Sequence, residues 1–202
     1  MKGYYFITDA ALSRRGNMSD VNSALAAGVR IVQYRAKEVG TREMLAEAQE
    51  LKNLCRGAIF LVNDRVDVAL AVDADGVHLG QEDMPYETAR RLLGSGKIIG
   101  ITVSNLEEAR AAARQGADYL GVSPIFFTRT KADAGAPKGL ALIKEIRNTV
   151  SLPLAAIGGI TLANAPGVIA GGADMVCAIS EVVAKIDVRA EVARFQELFS
   201  EQ

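Results

Sequence analysis

Short apolar runs rich in Val, Ile and Leu recur along the chain, each followed by a polar turn and then by a helical pattern. The runs are Tyr4–Thr8, Ile31–Arg35, Ile59–Asn63, Gly76–Leu79, Ile98–Thr102, Tyr119–Ser123, Leu152–Ile157 and Met175–Ile179. Runs that are apolar on both faces and separated by helices are what a parallel sheet requires. Between them, Thr41–Cys55 places Met44, Leu45, Ala48, Leu51 and Leu54 on one stripe of 3.6-residue period, a helix with one buried face. Ser104-Asn105-Leu106-Glu107 has capping-box spacing for a later helix, which Gly116 should stop. Asp20 with Gly28, and Ala163 with Gly171, bracket two more. Eight strands alternating with eight helices in 202 residues predict a single (β/α)8 TIM barrel, one domain over residues 1–202. An open, doubly wound sheet is the alternative. The barrel is preferred because polar residues fall where its site would need them.

Composition narrows the partners. With 23 Lys+Arg against 24 Asp+Glu the net charge is -1, so no basic field exists for nucleic acid or anionic lipid. Half the residues are apolar and 23% are charged, the balance of a folded protein with one sizeable core. Nowhere do about 18 apolar residues run without a charge, and the start lacks a signal-peptide pattern. Cys55 and Cys177 form no CxxC pair. A cytoplasmic protein is expected, with no membrane and no nucleic-acid partner.

Candidate chemistry gathers at the carboxyl ends of the strands, where barrel active sites lie. In Gln33-Tyr34-Arg35-Ala36-Lys37, period two aims Gln33, Arg35 and Lys37 at one face. They either pair with nearby carboxylates at the rim or form an anion site, with Arg35 a planar fork and Lys37 a point charge. Asn63-Asp64 ends the third strand. Asp64 could cap the helix 65–72, or join Asp83 of the next strand end in holding Mg2+, which usually takes one or two carboxylates plus substrate phosphates. His78 has no second His and reads as a hydrogen-bonded core residue. The longest loop, 127–137, carries Thr128, Arg129, Thr130 and Lys131. It is either a solvated loop or a flap that closes over phosphate. Gly158-Gly159 after the seventh strand, and Ser180 after the eighth, sit where barrels often bind phosphate. Gly94-Ser95-Gly96-Lys97 only imitates a P-loop, because it precedes a strand instead of following one.

Taken together, Gln33-Tyr34-Arg35-Ala36-Lys37, Val62-Asn63-Asp64-Arg65, His78-Leu79-Gly80-Gln81-Glu82-Asp83, Pro124–Lys131 and Ala156-Ile157-Gly158-Gly159-Ile160 closely resemble the thiamine-phosphate synthase family, in order and over nearly the whole chain. The resemblance implies a transferase that joins 4-amino-2-methyl-5-(diphosphooxymethyl)pyrimidine to a thiazole ethyl phosphate, releasing diphosphate. It implies that Gln33, Arg35, Lys37, Asn63 and Lys131 hold the pyrimidine diphosphate, with Arg35, Lys37 and Lys131 catalytic. Thr102 stands against the pyrimidine where the family usually has Ser. Asp64 and Asp83 would ligate Mg2+, and Thr128, Thr130, Gly158, Ile179 and Ser180 would bind the thiazole phosphate. The implied mechanism breaks the C–O bond first and lets the thiazole nitrogen capture the cation, so it requires no general base.

Three departures stand out. The flap reads Phe127-Thr128-Arg129 where the family has Pro-Thr-Pro, Thr102 replaces Ser, and the first strand begins without the leading helix of many relatives. A second subunit, as in a homodimer, is the candidate cover for the barrel floor. The rivals are a thiazole tautomerase of the same fold, which relies on a His where Ser104 stands, and a non-catalytic phosphate-binding barrel.

Overall fold

The computed structural model describes residues 1–130 and 135–200. Its strands are β1 (Gly3–Ile7), β2 (Ile31–Tyr34), β3 (Ile59–Asn63), β4 (Gly76–Leu79), β5 (Ile98–Val103), β6 (Tyr119–Val122), β7 (Leu154–Ile157) and β8 (Met175–Cys177). All pair in parallel and in sequence order, and β8 returns to β1 to close the barrel. The helices are α1 (Asn17–Ala26), α2 (Thr41–Leu54), α3 (Val66–Ala71), α4 (Tyr86–Leu93), α5 (Leu106–Gln115), α6 (Gly139–Arg147), α7 (Ala165–Ala170), α8 (Ile179–Val183) and α9 (Val188–Glu197). The described residues thus contain nine helices where the periodicity predicts eight, because the segment after β8 folds as a short turn of helix and then α9.

Strand alternation sorts the apolar residues into two layers. Tyr4, Phe6, Val32, Tyr34, Phe60 and Val62 face outward into the shell against the helices. Tyr5, Ile7, Ile31, Leu61, Tyr119, Ala155, Met175 and Cys177 fill the lumen. Burying a Leu- or Phe-sized side chain stabilises by roughly 1.5–3 kcal/mol, so these layers carry most of the folding energy.

Local signals misplace a few boundaries. The cap of α5 is Asn105, whose side chain accepts the Glu108 N–H at 2.9 Å, while Glu108 reaches back to the Ser104 N–H at 2.6 Å. The capping box therefore sits one residue later than Ser104–Glu107. Gly116 does stop that helix, at φ 95°. Asp20 does not start α1 but lies in its first turn, accepting a hydrogen bond from the Ser13 hydroxyl at 2.6 Å. Strand β7 begins at Leu154 rather than Leu152, since Pro153 has no N–H for the ladder. Strand β8 ends at Cys177, and Ile179 and Ser180 open α8.

At the amino ends of the strands one brace repeats. Asp75, just before β4, accepts the Phe60 N–H of β3 at 2.7 Å and pairs with Lys52 of α2 at 2.9 Å. Asp118, before β6, accepts the Ile99 N–H of β5 at 2.7 Å and pairs with Arg90 of α4 at 2.7 Å. Asp174, before β8, accepts the Leu154 N–H of β7 at 2.8 Å and pairs with Arg147 of α6. Gln196 of α9 takes the fourth place, accepting the Tyr4 N–H of β1 at 3.0 Å and donating to the Gly28 carbonyl at 2.9 Å. The first free N–H groups of alternate strands are thereby satisfied from the helix layer. Asp174→Ala should destabilise the chain by about 1–3 kcal/mol, because it strands one N–H and one guanidinium, and Asp174→Asn should cost less by keeping an acceptor. Urea unfolding checks this as a lower midpoint at unchanged slope.

Candidate active site

Strand β2 delivers its polar residues as alternation requires. Tyr34 faces outward and its hydroxyl donates to Glu47 Oε2 of α2 at 2.7 Å, while Gln33 is buried in the lumen and Arg35 and Lys37 follow at the rim. The backbone of Arg35 is fixed by Thr8, whose Oγ1 accepts the Arg35 N–H at 2.9 Å. Arg35 Nη1 donates to Asp9 Oδ2 at 3.0 Å, and Lys37 Nζ donates to Asp64 Oδ2 at 3.3 Å. Each cation thus has a carboxylate beside it. A guanidinium carries five N–H donors and an ammonium three, so both retain capacity for an anion.

Asp64 does not cap α3. The residue before that helix is Arg65, with no side-chain cap, and Asp64 itself adopts a left-handed backbone at φ 60°. Such a conformation costs energy in a non-glycine residue, although Asp tolerates it better than most. It turns the carboxylate back over the barrel mouth toward Lys37 and Asp83. Burial and then the neighbouring Asp83 carboxyl hold the Asp64 carboxyl above its ordinary range, with Lys37 pulling the other way. Asp83 is fixed by the Gly80 N–H, which donates to its Oδ2 at 2.6 Å.

The loop after β6 is stitched at both ends. The N–H groups of Ile125 and Phe126 donate to the carbonyls of Ile157 and Gly158 at 3.0 and 2.9 Å, while those of Lys138 and Gly139 return to Pro124 and Ile125 at 2.9 Å each. Gly158 and Gly159 make this close approach possible, at φ 101° and 61°. A Cβ on Gly159 would lie 2.3 Å from the Phe127 carbonyl oxygen. The glycine pair therefore anchors the flap as well as lining the cavity. Arg129, which has no assigned role in the motif, lies over the Phe127 ring at 6.0 Å.

These elements enclose a cavity of about 660 Å³ at the carboxyl rim. Gln33, Arg35, Lys37, Asn63, Asp64, Asp83, Thr102, Thr128, Thr130, Gly158, Ile179 and Ser180 all line it. Lys131 lies outside the described residues. Sequence reasoning passes over Asp9, Tyr5 and Lys138. Asp9 follows β1 directly, so the rule that singles out the other strand ends would have found it. Tyr5 shares the inward phase of Ile7, and Lys138 is a cation at the far end of the flap. His78, read as a core residue, is hydrogen-bonded to Tyr119 and Thr102 at 2.7 and 2.8 Å and also lines the cavity.

Among the described residues no cluster of three or more His, Cys, Asp or Glu side chains could hold a metal alone. The Asp64–Asp83 pair fits Mg2+ in the way that ion is usually bound, by two carboxylates with the remaining positions left to water and phosphate oxygens. Burial is the first cause of the raised proton affinity of Asp64, and the adjacent Asp83 carboxyl adds to it.

A closed parallel barrel that presents cations and paired acids at the carboxyl rim of its strands has the form of a TIM-barrel enzyme, with a charge pattern suited to phosphorylated small molecules. The comparisons narrow the class: the thiamine monophosphate synthase family model matches residues 4–182. The thiamine-phosphate synthase of Methanosarcina barkeri is 55% identical over 196 residues, covering 96% of this chain and 89% of its own. That of Chloroflexus aurantiacus is 53% identical over 199 residues, covering 97% and 92%. The solved thiamine phosphate pyrophosphorylase of Pyrococcus furiosus superposes with a TM-score of 0.91 at 42% identity, covering 98% and 96%. The chain belongs to the thiamine monophosphate synthase family.

Gly159→Ala should loosen the flap anchor, since the added Cβ meets backbone in a left-handed conformation. The expected result is a fall in melting temperature worth about 1–3 kcal/mol together with reduced activity. Thermal unfolding with and without substrates measures both.

Proposed function

We propose that this cavity condenses 4-amino-2-methyl-5-(diphosphooxymethyl)pyrimidine with 4-methyl-5-(2-phosphooxyethyl)thiazole to give thiamine phosphate and diphosphate. The observation that carries the reading is the convergence of Arg35, Lys37, Asp64 and Asp83, from three different strand ends, on one cavity. In this reading Arg35, Lys37 and Asn63 surround the diphosphate, and Lys131 is assigned to it by the family resemblance alone. Gln33 and Thr102 lie with the pyrimidine. Thr128, Thr130, Gly158, Ile179 and Ser180 take the thiazole phosphate, on the side where β7 and β8 end.

The chemistry follows from charge. As the C–O bond of the pyrimidine substrate lengthens, negative charge grows on the diphosphate, and preorganised cations stabilise it more than they stabilise the intact ester. Arg35 is well suited, because Asp9 and Thr8 fix its orientation before substrate arrives. Asp64 and Asp83 would hold Mg2+, which would supply further positive charge beside the diphosphate. The thiazole nitrogen carries its own lone pair, so no side chain must act as a base. Holding both substrates in one cavity contributes the orientation that a bimolecular reaction in water lacks.

A thiazole tautomerase would need a histidine at Ser104. That residue instead donates its N–H to Glu108 Oε2 at 2.6 Å as part of the α5 cap. Among the described residues no helix is long and apolar enough to cross a membrane. Both cysteines are buried and unpaired, which suits the reducing cytoplasm. The reading includes a homodimer, and light scattering of the purified chain tests it.

Purified protein with both substrates and Mg2+ should form thiamine phosphate and diphosphate in equal amounts. No product from the unaltered chain would contradict the assignment. Asp83→Asn should weaken the Mg2+ dependence, and an unchanged Mg2+ titration would remove Asp83 as a ligand.

The pH dependence has a definite sign. A carboxyl held above its ordinary range binds its proton more tightly in the folded chain, so Asp64 lends stability in acid that fades as the pH rises through its folded value. Mg2+ must displace that proton. Mg2+ affinity should therefore strengthen as the pH rises from about 4 toward neutrality, and calorimetric titration across that range reads it directly.

A further inference from the structure

Beneath the cations, five side chains from five strands touch in series. Gln33 Nε2 of β2 donates to the Tyr5 hydroxyl of β1 at 2.6 Å. Tyr5 and Tyr119 of β6 meet hydroxyl to hydroxyl at 2.8 Å. Tyr119 meets His78 Nδ1 of β4 at 2.7 Å, and His78 Nε2 meets Thr102 Oγ1 of β5 at 2.8 Å. The residues at both ends of the series line the cavity, as do Tyr5 and His78, while Tyr119 lies wholly below it.

Glycines clear the way for the series. A Cβ on Gly100 would lie 2.0 Å from the Tyr119 ring, and one on Gly121 would lie 2.7 Å from His78 Cε1. Tyr119 and His78 thus occupy space that any larger residue on β5 or β6 would fill, and the rings are held where they are.

Counting protons gives the series a direction. Either atom of the Tyr5–Tyr119 and Tyr119–His78 contacts could donate. Because Tyr5 already accepts from Gln33, donation from Tyr5 to Tyr119 and from Tyr119 to His78 Nδ1 is the arrangement that gives every hydroxyl proton a partner. Burial pushes both phenols well above their ordinary range, so neither gives its proton up altogether. A ring that accepts at Nδ1 and stays neutral carries its proton on Nε2, donates it to Thr102, and leaves the Thr102 hydroxyl proton for the cavity. At the other end Gln33 uses Nε2 on Tyr5 and lines the cavity, which leaves Oε1 as its acceptor for a ligand.

We propose that these five residues form one directional hydrogen-bond chain, in which Tyr5, Tyr119 and His78 are positioning residues that make Thr102 a donor and Gln33 an acceptor toward the substrate. One acceptor and one donor complement the edge of an aminopyrimidine, which offers an amino N–H and a bare ring nitrogen. This rests on the reaction assigned above and names how that site recognises its heterocycle. It also gives a reason for two buried tyrosines in a lumen that apolar side chains would otherwise fill.

His78 is the single histidine of the chain, so nitrogen NMR of protein labelled with 15N-histidine reports this residue alone. At neutral pH the resting enzyme should show a neutral ring with the proton on Nε2 and a bare Nδ1. A proton on Nδ1 in an enzyme that makes thiamine phosphate overturns the chain and leaves the reaction intact. The expected tautomer in a protein that makes no thiamine phosphate overturns the reaction and leaves the chain's direction intact. Tyr119→Phe, which never touches substrate, should mix the tautomers. It should also cut kcat/KM for the pyrimidine diphosphate by about tenfold, with the KM for the thiazole phosphate unchanged. Equal losses for both substrates with an unmixed tautomer would make Tyr119 a packing residue and overturn the proposal.

Discussion

Everything at the mouth of this barrel depends on a balance of charge that the protein cannot complete alone. Arg35 and Lys37 are brought into a half-enclosed cavity, and each is met there by one carboxylate, Asp9 at 3.0 Å and Asp64 at 3.3 Å. Taking a charge out of water is costly for Arg35, 17% exposed, and less so for Lys37, which stays half exposed, and a single partner leaves several donors of each cation unused. Asp64 in turn is part-buried and then crowded by Asp83, so its carboxyl favours the proton. A cation held between the acids and an oxyanion held by the bases would resolve both tensions at once. A magnesium diphosphate has that pattern of charge.

The scaffold makes the arrangement possible by closing in register. Parallel pairing from β1 round to β8 points every strand's carboxyl end at one rim, so residues distant in sequence become neighbours. The opposite rim is tied by the braces of Asp75, Asp118, Asp174 and Gln196, which hold the amino ends of alternate strands to the helices. The division matches a general property of such barrels, with stability at one face and chemistry at the other. Beneath the charged layer, the lumen is sealed by Ile31, Leu61, Ala155 and Met175, with Tyr5 and Tyr119 carrying the polar series across it.

Much of this is legible in the sequence because a strand's period is short and unforgiving. Alternation alone puts Gln33, Arg35 and Lys37 on one side of β2 and Tyr34 on the other. The rule that barrel chemistry sits at strand ends then collects Asn63, Asp64, Asp83 and Ser180, while Thr102 enters only through the family resemblance. What escapes the sequence depends on backbone geometry and on distance. The left-handed turn at Asp64, which aims its carboxylate at Asp83 and away from capping α3, has no local signature that separates it from an ordinary cap. The strand-end rule reaches Asp9, but its partnership with Arg35 emerges only when β1 and β2 pair and bring Thr8 beside Arg35. The glycine pair at 158–159 suggests phosphate, and its second duty of letting the flap approach β7 emerges only from the contact with Phe127. The partnership of Tyr5, Tyr119 and His78 joins strands far apart in sequence, and no spacing rule reaches so far.

Arg35, Lys37, Asp64 and Asp83, from three strand ends, stand or fall together as one site for a metal-bound diphosphate. A crystal structure of the protein with Mg2+ and diphosphate decides whether they do. One ion ligated by Asp64 and Asp83 is expected, with diphosphate oxygens shared between that ion, Arg35 and Lys37. Diphosphate bound elsewhere on the molecule, or an ion that leaves the two aspartates untouched, would contradict it.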